Sequence, residues 1–398
     1  MMAWLALAAN ALAAAPLVVD YLVEFRPDEG TAAVTITLEQ GEGRVIELAF
    51  AMHPKRYSGI TGDGALELKD GRAVWQPPRE GGSLQFEYRI DKRRRGRGYD
   101  ARITESWVIV RGDHLVPPAR ARFSAGARTR ARLRFKLPEG WSAVETPYVR
   151  DPDAEVIEID NPERRFVRPV GWMIAGDLGI RREWLEGMEM AVAAPRGEAK
   201  RRNDILAFTN ILAKEFKAAF GELPPKLLVA GAGDPMWRGG LSGPNSMYLH
   251  AERPLISENG TSTLVHELVH VTSRIGGRGD DRWIGEGIAE FYAIELMRRA
   301  GLITERRAQL AFERKERRGR RAKTLSAPRS SGSRTARAVT LFVELDREIR
   351  ELSGGDLDLD DLVQRLMRIR RVDRYQLREE FEELTGTASQ VLRDAPLT

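Results

Sequence analysis

Between residues 17 and 194, apolar and polar positions alternate in short runs broken by Gly, Pro and Asp. Val34-Thr35-Ile36-Thr37-Leu38, Leu84-Gln85-Phe86-Glu87-Tyr88, Trp107-Val108-Ile109-Val110 and Val156-Ile157-Glu158-Ile159 are such runs. A period of two between turn signals predicts half-buried antiparallel strands. The clearest lies at 128–137, where Arg130, Arg132, Arg134 and Lys136 share one face and Ala131, Leu133, Phe135 and Leu137 the other. That basic run therefore reads as the wet side of a sheet.

After Pro195 the period changes. Ile205, Phe208, Leu212, Phe216, Ala219 and Phe220 follow helical spacing, and Gly221 with Pro224-Pro225 ends the run. Two short strands, 227–230 and 246–250, come next. Helical patterns then fill 262–274, 284–299, 306–318, 339–352, 359–370 and 376–385, while the Ser/Gly/Pro/Arg-rich stretch 326–334 reads as a loop. The pattern predicts an α+β chain: an antiparallel β-sandwich-like domain over 16–194, then an α-rich domain with a small sheet over 195–398. No repeat of solenoid length is visible.

Residues 1–15 are apolar apart from Asn10 and include Ala11-Leu12-Ala13, with small residues where a signal peptidase reads. The expectation is a signal peptide and a periplasmic or secreted protein. No other stretch approaches the roughly 18 apolar residues of a bilayer span, so no transmembrane span is expected. Hydrophobic residues at 42% and charged residues at 30% exclude a disordered chain. Lys plus Arg is 63 against 58 acids, so the net charge of +5 is a small difference between intermixed populations. The basic runs at 92–97, 128–136 and 314–323 carry no nucleic-acid motif with interleaved aromatics; they read as solvated faces and predict no nucleic-acid partner. The sequence sets no oligomeric state. With no cysteine there is no disulfide, thiol nucleophile or thiolate metal site, and any metal must be held by His, Asp and Glu.

Such a set is present. Thr263-Leu264-Val265-His266-Glu267-Leu268-Val269-His270 contains HExxH. On a helix, residues i and i+4 share a face, so His266 and His270 can offer ring nitrogens to one zinc ion while Glu267 stands beside it as a general base. With five His in the chain, chance would produce the motif on the order of once in two hundred such sequences. Thr261, Ser262 and Thr263 offer N-caps, and Leu264, Val265, Leu268, Val269 and Val271 supply a buried helix. A catalytic zinc takes a third protein ligand and keeps one open position. Downstream, Trp283-Ile284-Gly285-Glu286-Gly287-Ile288-Ala289-Glu290-Phe291 offers two acids one turn apart, and spacing alone admits either as the third ligand.

HExxH followed by WxxEGxAE(F/Y) resembles the gluzincin metallopeptidases, whose catalytic domain is thermolysin-like. The resemblance implies that Glu286 is the third zinc ligand, and that Glu290 holds the first zinc histidine by its far nitrogen. Within that group the order of segments is most similar to the glycyl aminopeptidase family, without its PDZ module, and more distantly to the alanyl aminopeptidase family. Arg238-Gly239-Gly240-Leu241-Ser242-Gly243-Pro244-Asn245-Ser246 resembles the GGLEHxNS segment, an edge strand lining the cleft; here Ser242 replaces the Glu associated with the substrate's free amino group. Residues 339–346 resemble the helix after a YxKG segment, which puts Thr335 where the family carries an oxyanion-stabilising Tyr. Tyr248, Tyr292, Tyr375 and His250 are the substitute candidates.

The sequence thus predicts an exported, zinc-dependent metallopeptidase with one zinc ion per chain, acting on peptides or proteins with Glu267 as general base. The alternative is a catalytically degenerate, zinc-containing peptide-binding protein. A basic surface protein docking on anionic lipid or nucleic acid is a third reading, resting on charge runs alone.

Overall fold

Alternation along the N-terminal strands becomes sheet in the computed structural model, which describes residues 16–396 apart from 95, 97, 150–153, 160, 162 and 198–200. The expected signal peptide lies outside the described residues. The described residues form two compact units: one within 16–92, 101–141 and 154–170, the other within 93–100, 142–149 and 171–396.

In the first unit a six-stranded sheet runs in the order Ile157–Ile159, Thr129–Lys136, Leu17–Arg26, Thr31–Glu39, Gly81–Arg89, Tyr57–Gly62. All neighbours are antiparallel except Leu17–Arg26 against Thr129–Lys136, which run parallel. Ala131 and Leu133 are buried, whereas Arg132, Arg134 and Lys136 point outward and meet Glu158, Asp20 and Glu24 on neighbouring strands at 3.0, 3.4 and 3.0 Å. The basic run is thus neutralised across the ladder. A second, four-stranded antiparallel sheet runs Ala119–Phe123, Val45–Ala51, Arg72–Gln76, Ala65–Lys69.

A single helical turn, α1 (Gly112–Leu115), carries His114. Burial, ahead of the Lys92 charge, pushes its imidazole down to about 4. Folding therefore favours the neutral ring, and the stability this contributes is complete above pH 6.5 and lost as pH falls from 6.5 toward 4. The expected loss is on the order of 3 kcal/mol. Denaturant midpoints at pH 7 and 4.5 should differ less in His114→Gln than in the parent; an unchanged difference would assign the pH dependence to other groups.

In the second unit a five-stranded sheet runs Leu178–Leu185, Met188–Pro195, Lys226–Ala232, Ser246–His250, Gly240–Gly243. The first two strands fall in the stretch whose sequence pattern reads as part of the β-rich domain, yet they belong to this sheet: Met188–Pro195 pairs parallel with Lys226–Ala232. Every residue of Met188–Pro195 is buried. A strand covered on both faces has no reason to alternate, so the period change at Pro195 marks the first long helix and not the edge of a unit.

That helix, α2 (Arg202–Phe220), packs on the sheet through Leu206, Leu212, Phe216 and Phe220. Next come α3 (Thr263–Ser273), α4 (Trp283–Arg299), α5 (Glu305–Gly319), α6 (Ser333–Ser353), α7 (Leu359–Ile369), α8 (Arg374–Thr385) and α9 (Gln390–Asp394). α6 starts six residues ahead of the expected 339. α4 is buried on nearly all sides, with α2, α3, α5 and α6 packed against it, as expected of a helix apolar around most of its circumference. No helix among the described residues is long and apolar enough to cross a membrane.

Candidate metal centre

α3 begins where Ser262 Oγ accepts the Val265 N–H at 3.2 Å, and ends where Arg274 takes a left-handed conformation and donates its N–H to the His270 carbonyl. Between these caps Leu264, Val265, Leu268, Val269 and Val271 are buried. Their burial fixes the rotation of the helix and leaves His266 and His270 together on one face. The two rings meet edge-on at 4.8 Å, with their Nε2 atoms 3.2 Å apart.

α4 brings the acids. Glu286 Oε2 lies 3.6 Å from His266 Nε2 and its Oε1 3.7 Å from His270 Nε2. Glu290, one turn on, puts Oε2 2.9 Å from His266 Nδ1. Gly287 sets how closely α4 approaches α6: a Cβ there would stand 2.7 Å from the Ala338 Cβ and 2.8 Å from the Phe342 ring. The EG pair of the motif is thus an acid next to a helix contact that only glycine permits. Among the described residues His266, His270 and Glu286 form one set whose donor atoms all lie within 4.8 Å of one another.

Charge explains why these groups stay together. Burial opposes the protonated form of His266, but Glu286 and Glu290, with the charge of Glu267, raise it to about 10. Burial would raise Glu290 too, yet His266 and Lys315 hold it down to about 2. Lys315, on α5, forms an ion pair with Glu290 Oε1. Burial and then the neighbouring His266 charge lower His270. Glu290 therefore occupies the Nδ1 side of His266 and orients the ring, so that both Nε2 atoms and the Glu286 carboxylate point to one place. Two imidazoles and a carboxylate, without thiolate, suit a zinc ion that keeps an open position, and the residues fit that metal.

Glu267 lies on the side of α3 facing the sheet. Its Oε2 accepts the Ser242 N–H at 2.7 Å. Ser242 belongs to Gly240–Gly243, which is the edge strand the sequence motif implies. A Cβ at Gly240 would meet Thr263 Cγ2 at 2.7 Å and Glu267 Cγ at 2.8 Å, so the glycine lets the strand lie against Glu267. Leu241 follows in the same strand, and Gly239 precedes it, donating its N–H to the Trp237 carbonyl.

A cavity of about 580 Å³ opens at the centre, lined by Ser242, His270, Gly276, Gly277, Arg282 and Glu286 together with 328–331. The substitute oxyanion candidates do not reach it. Tyr248 is buried and donates to the Trp237 carbonyl, Tyr292 donates to Asp360 in the core, Tyr375 is exposed elsewhere, and His250 lies 3.4 Å from Asp234. Thr335 sits in the first turn of α6, with Oγ1 3.1 Å from Ser330 Oγ. Sequence reasoning missed Lys315, Arg282 and Arg329. A signal for Lys315 existed: it shares the face of the buried Ala308 and Ala311 at helical spacing, and so is the inward member of a run read as solvated.

No protein-family model matches the chain, and neither does any curated protein. Solved structures do. An aminopeptidase N family protein from Idiomarina loihiensis has a TM-score of 0.67 at 15% identity, covering 94% of this chain and 72% of that one. The M1 zinc metallopeptidase from Deinococcus radiodurans has a TM-score of 0.58 at 17% identity, covering 96% and 93%. Native leukotriene A4 hydrolase from Saccharomyces cerevisiae has a TM-score of 0.57 at 14% identity, covering 96% of this chain but 66% of its own. The fold is that of the M1 zinc metallopeptidases.

Proposed function

We propose that the protein is a zinc-dependent peptidase, exported if the apolar leader acts as a signal peptide. The observation that carries the reading is the convergence of His266, His270 and Glu286 beside a carboxylate, Glu267, that no ligand role requires. A zinc ion held by the first three would supply positive charge that acidifies a water and polarises the scissile carbonyl. Glu267 does the proton work. The Ser242 N–H fixes its Oε2, and the carboxylate takes the proton of the attacking water and returns it to the leaving amine. The open cleft at Ser242 and 328–331 accommodates the peptide.

A bound α-ammonium group calls for a carboxylate facing it, and Glu286 is the only acid among the described lining residues. Since Glu286 belongs to the metal set, the described lining residues leave no acid free to anchor an amino terminus. The purified protein should contain about one zinc per chain and digest a peptide library. It should turn over glycyl or alanyl anilides poorly, and cleave an N-acetylated peptide at least as well as its free-amine counterpart. A strong kcat/KM preference for the free amine would make it an aminopeptidase. The second reading, a zinc-containing peptide-binding protein, draws on Ser242 and on the lack of a tyrosine among the described lining residues. A zinc-loaded protein that binds peptides without cutting them would establish it.

A further inference from the structure

The cavity beside the metal centre carries two guanidinium groups that the peptidase chemistry does not use. Arg282 and Arg329 both line it, both are exposed, and neither has an acid partner among the described residues. Arginines nearby are committed: Arg374 to Asp281, Arg278 to Asp373 at 3.7 Å, Arg274 to the Asn245 side chain at 3.1 Å. The positions of Arg282 and Arg329 are also fixed. A parallel bridge joins Asp281 to Ala327, and the Ala327 N–H donates to the Asp280 carbonyl at 2.8 Å. Arg374 clamps both segments, binding Asp281 at 2.9 Å and Ser326 Oγ at 3.0 Å. One arginine follows each side of this tie and projects at the rim of the same cleft.

We infer that Arg282 and Arg329 recognise a substrate carboxylate, so that the substrates are peptides bearing a free carboxylate near the scissile bond. This rests on the peptidase reading and names its substrate class. The one acid among the cavity's described lining residues belongs to the metal set, while Arg282 and Arg329 carry positive charge at its rim. A guanidinium presents paired donors that match a carboxylate in a fork, which makes arginine well suited to holding that group in orientation. The carboxylate is supplied by the peptide's own C-terminus or by an Asp or Glu side chain, and the test separates the two.

The zinc-loaded full chain carrying Glu267→Gln is titrated calorimetrically with N-acetylated peptides in three forms: a neutral sequence with free C-terminal carboxylate, the same with C-terminal amide, and the amide form with one Asp or Glu replacing Asn or Gln. Relative to the neutral amide, at least one carboxylate form should bind roughly 10- to 100-fold more tightly. Arg282→Gln with Arg329→Gln should abolish that advantage while changing amide binding about two-fold or less, and added salt should shrink it. Tighter binding of the C-terminal acid identifies the terminus, and of the internal acid a side chain. Equal binding of all three forms, no binding of any, or an advantage that survives the double substitution overturns the inference. The peptidase reading fails separately, if the parent chain cleaves none of the three.

Discussion

Replacing Glu267 with glutamine should leave zinc content at about one per chain while lowering kcat by about 10²- to 10⁴-fold, the usual worth of a general base. Glutamine is the informative change because its amide oxygen can still accept the Ser242 N–H that Glu267 Oε2 now accepts at 2.7 Å. The edge strand then stays in place and only the basicity is lost. Alanine would remove both, leaving a part-buried N–H without its acceptor at a cost of about 1–3 kcal/mol, so its effect mixes chemistry with a shifted strand. Zinc measured by emission spectroscopy and kcat on a cleaved peptide are the two readouts. A Glu267→Gln chain as active as the parent would sink the mechanism, and one that loses zinc in proportion to activity would place Glu267 among the metal-holding groups.

Sequence and structure agree where the relevant geometry is local. Period two at 128–137 reports a half-wet strand because one face of that sheet meets water, and Arg132, Arg134 and Lys136 lie on it. HExxH is legible because i and i+4 on any α-helix share a face; α3 runs Thr263–Ser273 against an expected 262–274. The agreement stops where partners come from afar. Met188–Pro195, covered on both faces, shows no alternation to mark its sheet. The start of α6 at Ser333 is not legible because Ser333-Arg334-Thr335-Ala336-Arg337 bury only the small Ala336, which leaves no apolar period to read.

The site follows the same division. The spacing of Glu286 and Glu290 fixes that both are one turn apart, but not which faces the ring nitrogens; that depends on how α4 rolls against α3, and hence on Gly287 meeting α6. Lys315 reaches Glu290 across 25 positions of sequence. Arg282 and Arg329 come to line one cavity beside the bridge from Asp281 to Ala327, which no local pattern encodes. Each of these is a tertiary contact between segments whose individual periodicities would be unchanged without it.

Glu286→Gln should reduce bound zinc well below one per chain, whereas Glu290→Gln should weaken metal binding or activity only roughly 10- to 100-fold. The difference follows from what each carboxylate touches. Glu286 lies 3.6 and 3.7 Å from the two Nε2 atoms and shares their target, so its charge is one of the donors a zinc ion would meet. Glu290 is 2.9 Å from His266 Nδ1, on the far side of the ring, and acts by aiming that ring while Lys315 holds it from behind. An amide of the same shape would keep its place beside Nδ1 and lose only the negative charge that strengthens Nε2 as a donor. Chelator competition on the two variants yields both affinities. If zinc affinity falls further in Glu290→Gln than in Glu286→Gln, the third ligand is Glu290, and α4 must turn on its axis when the metal binds.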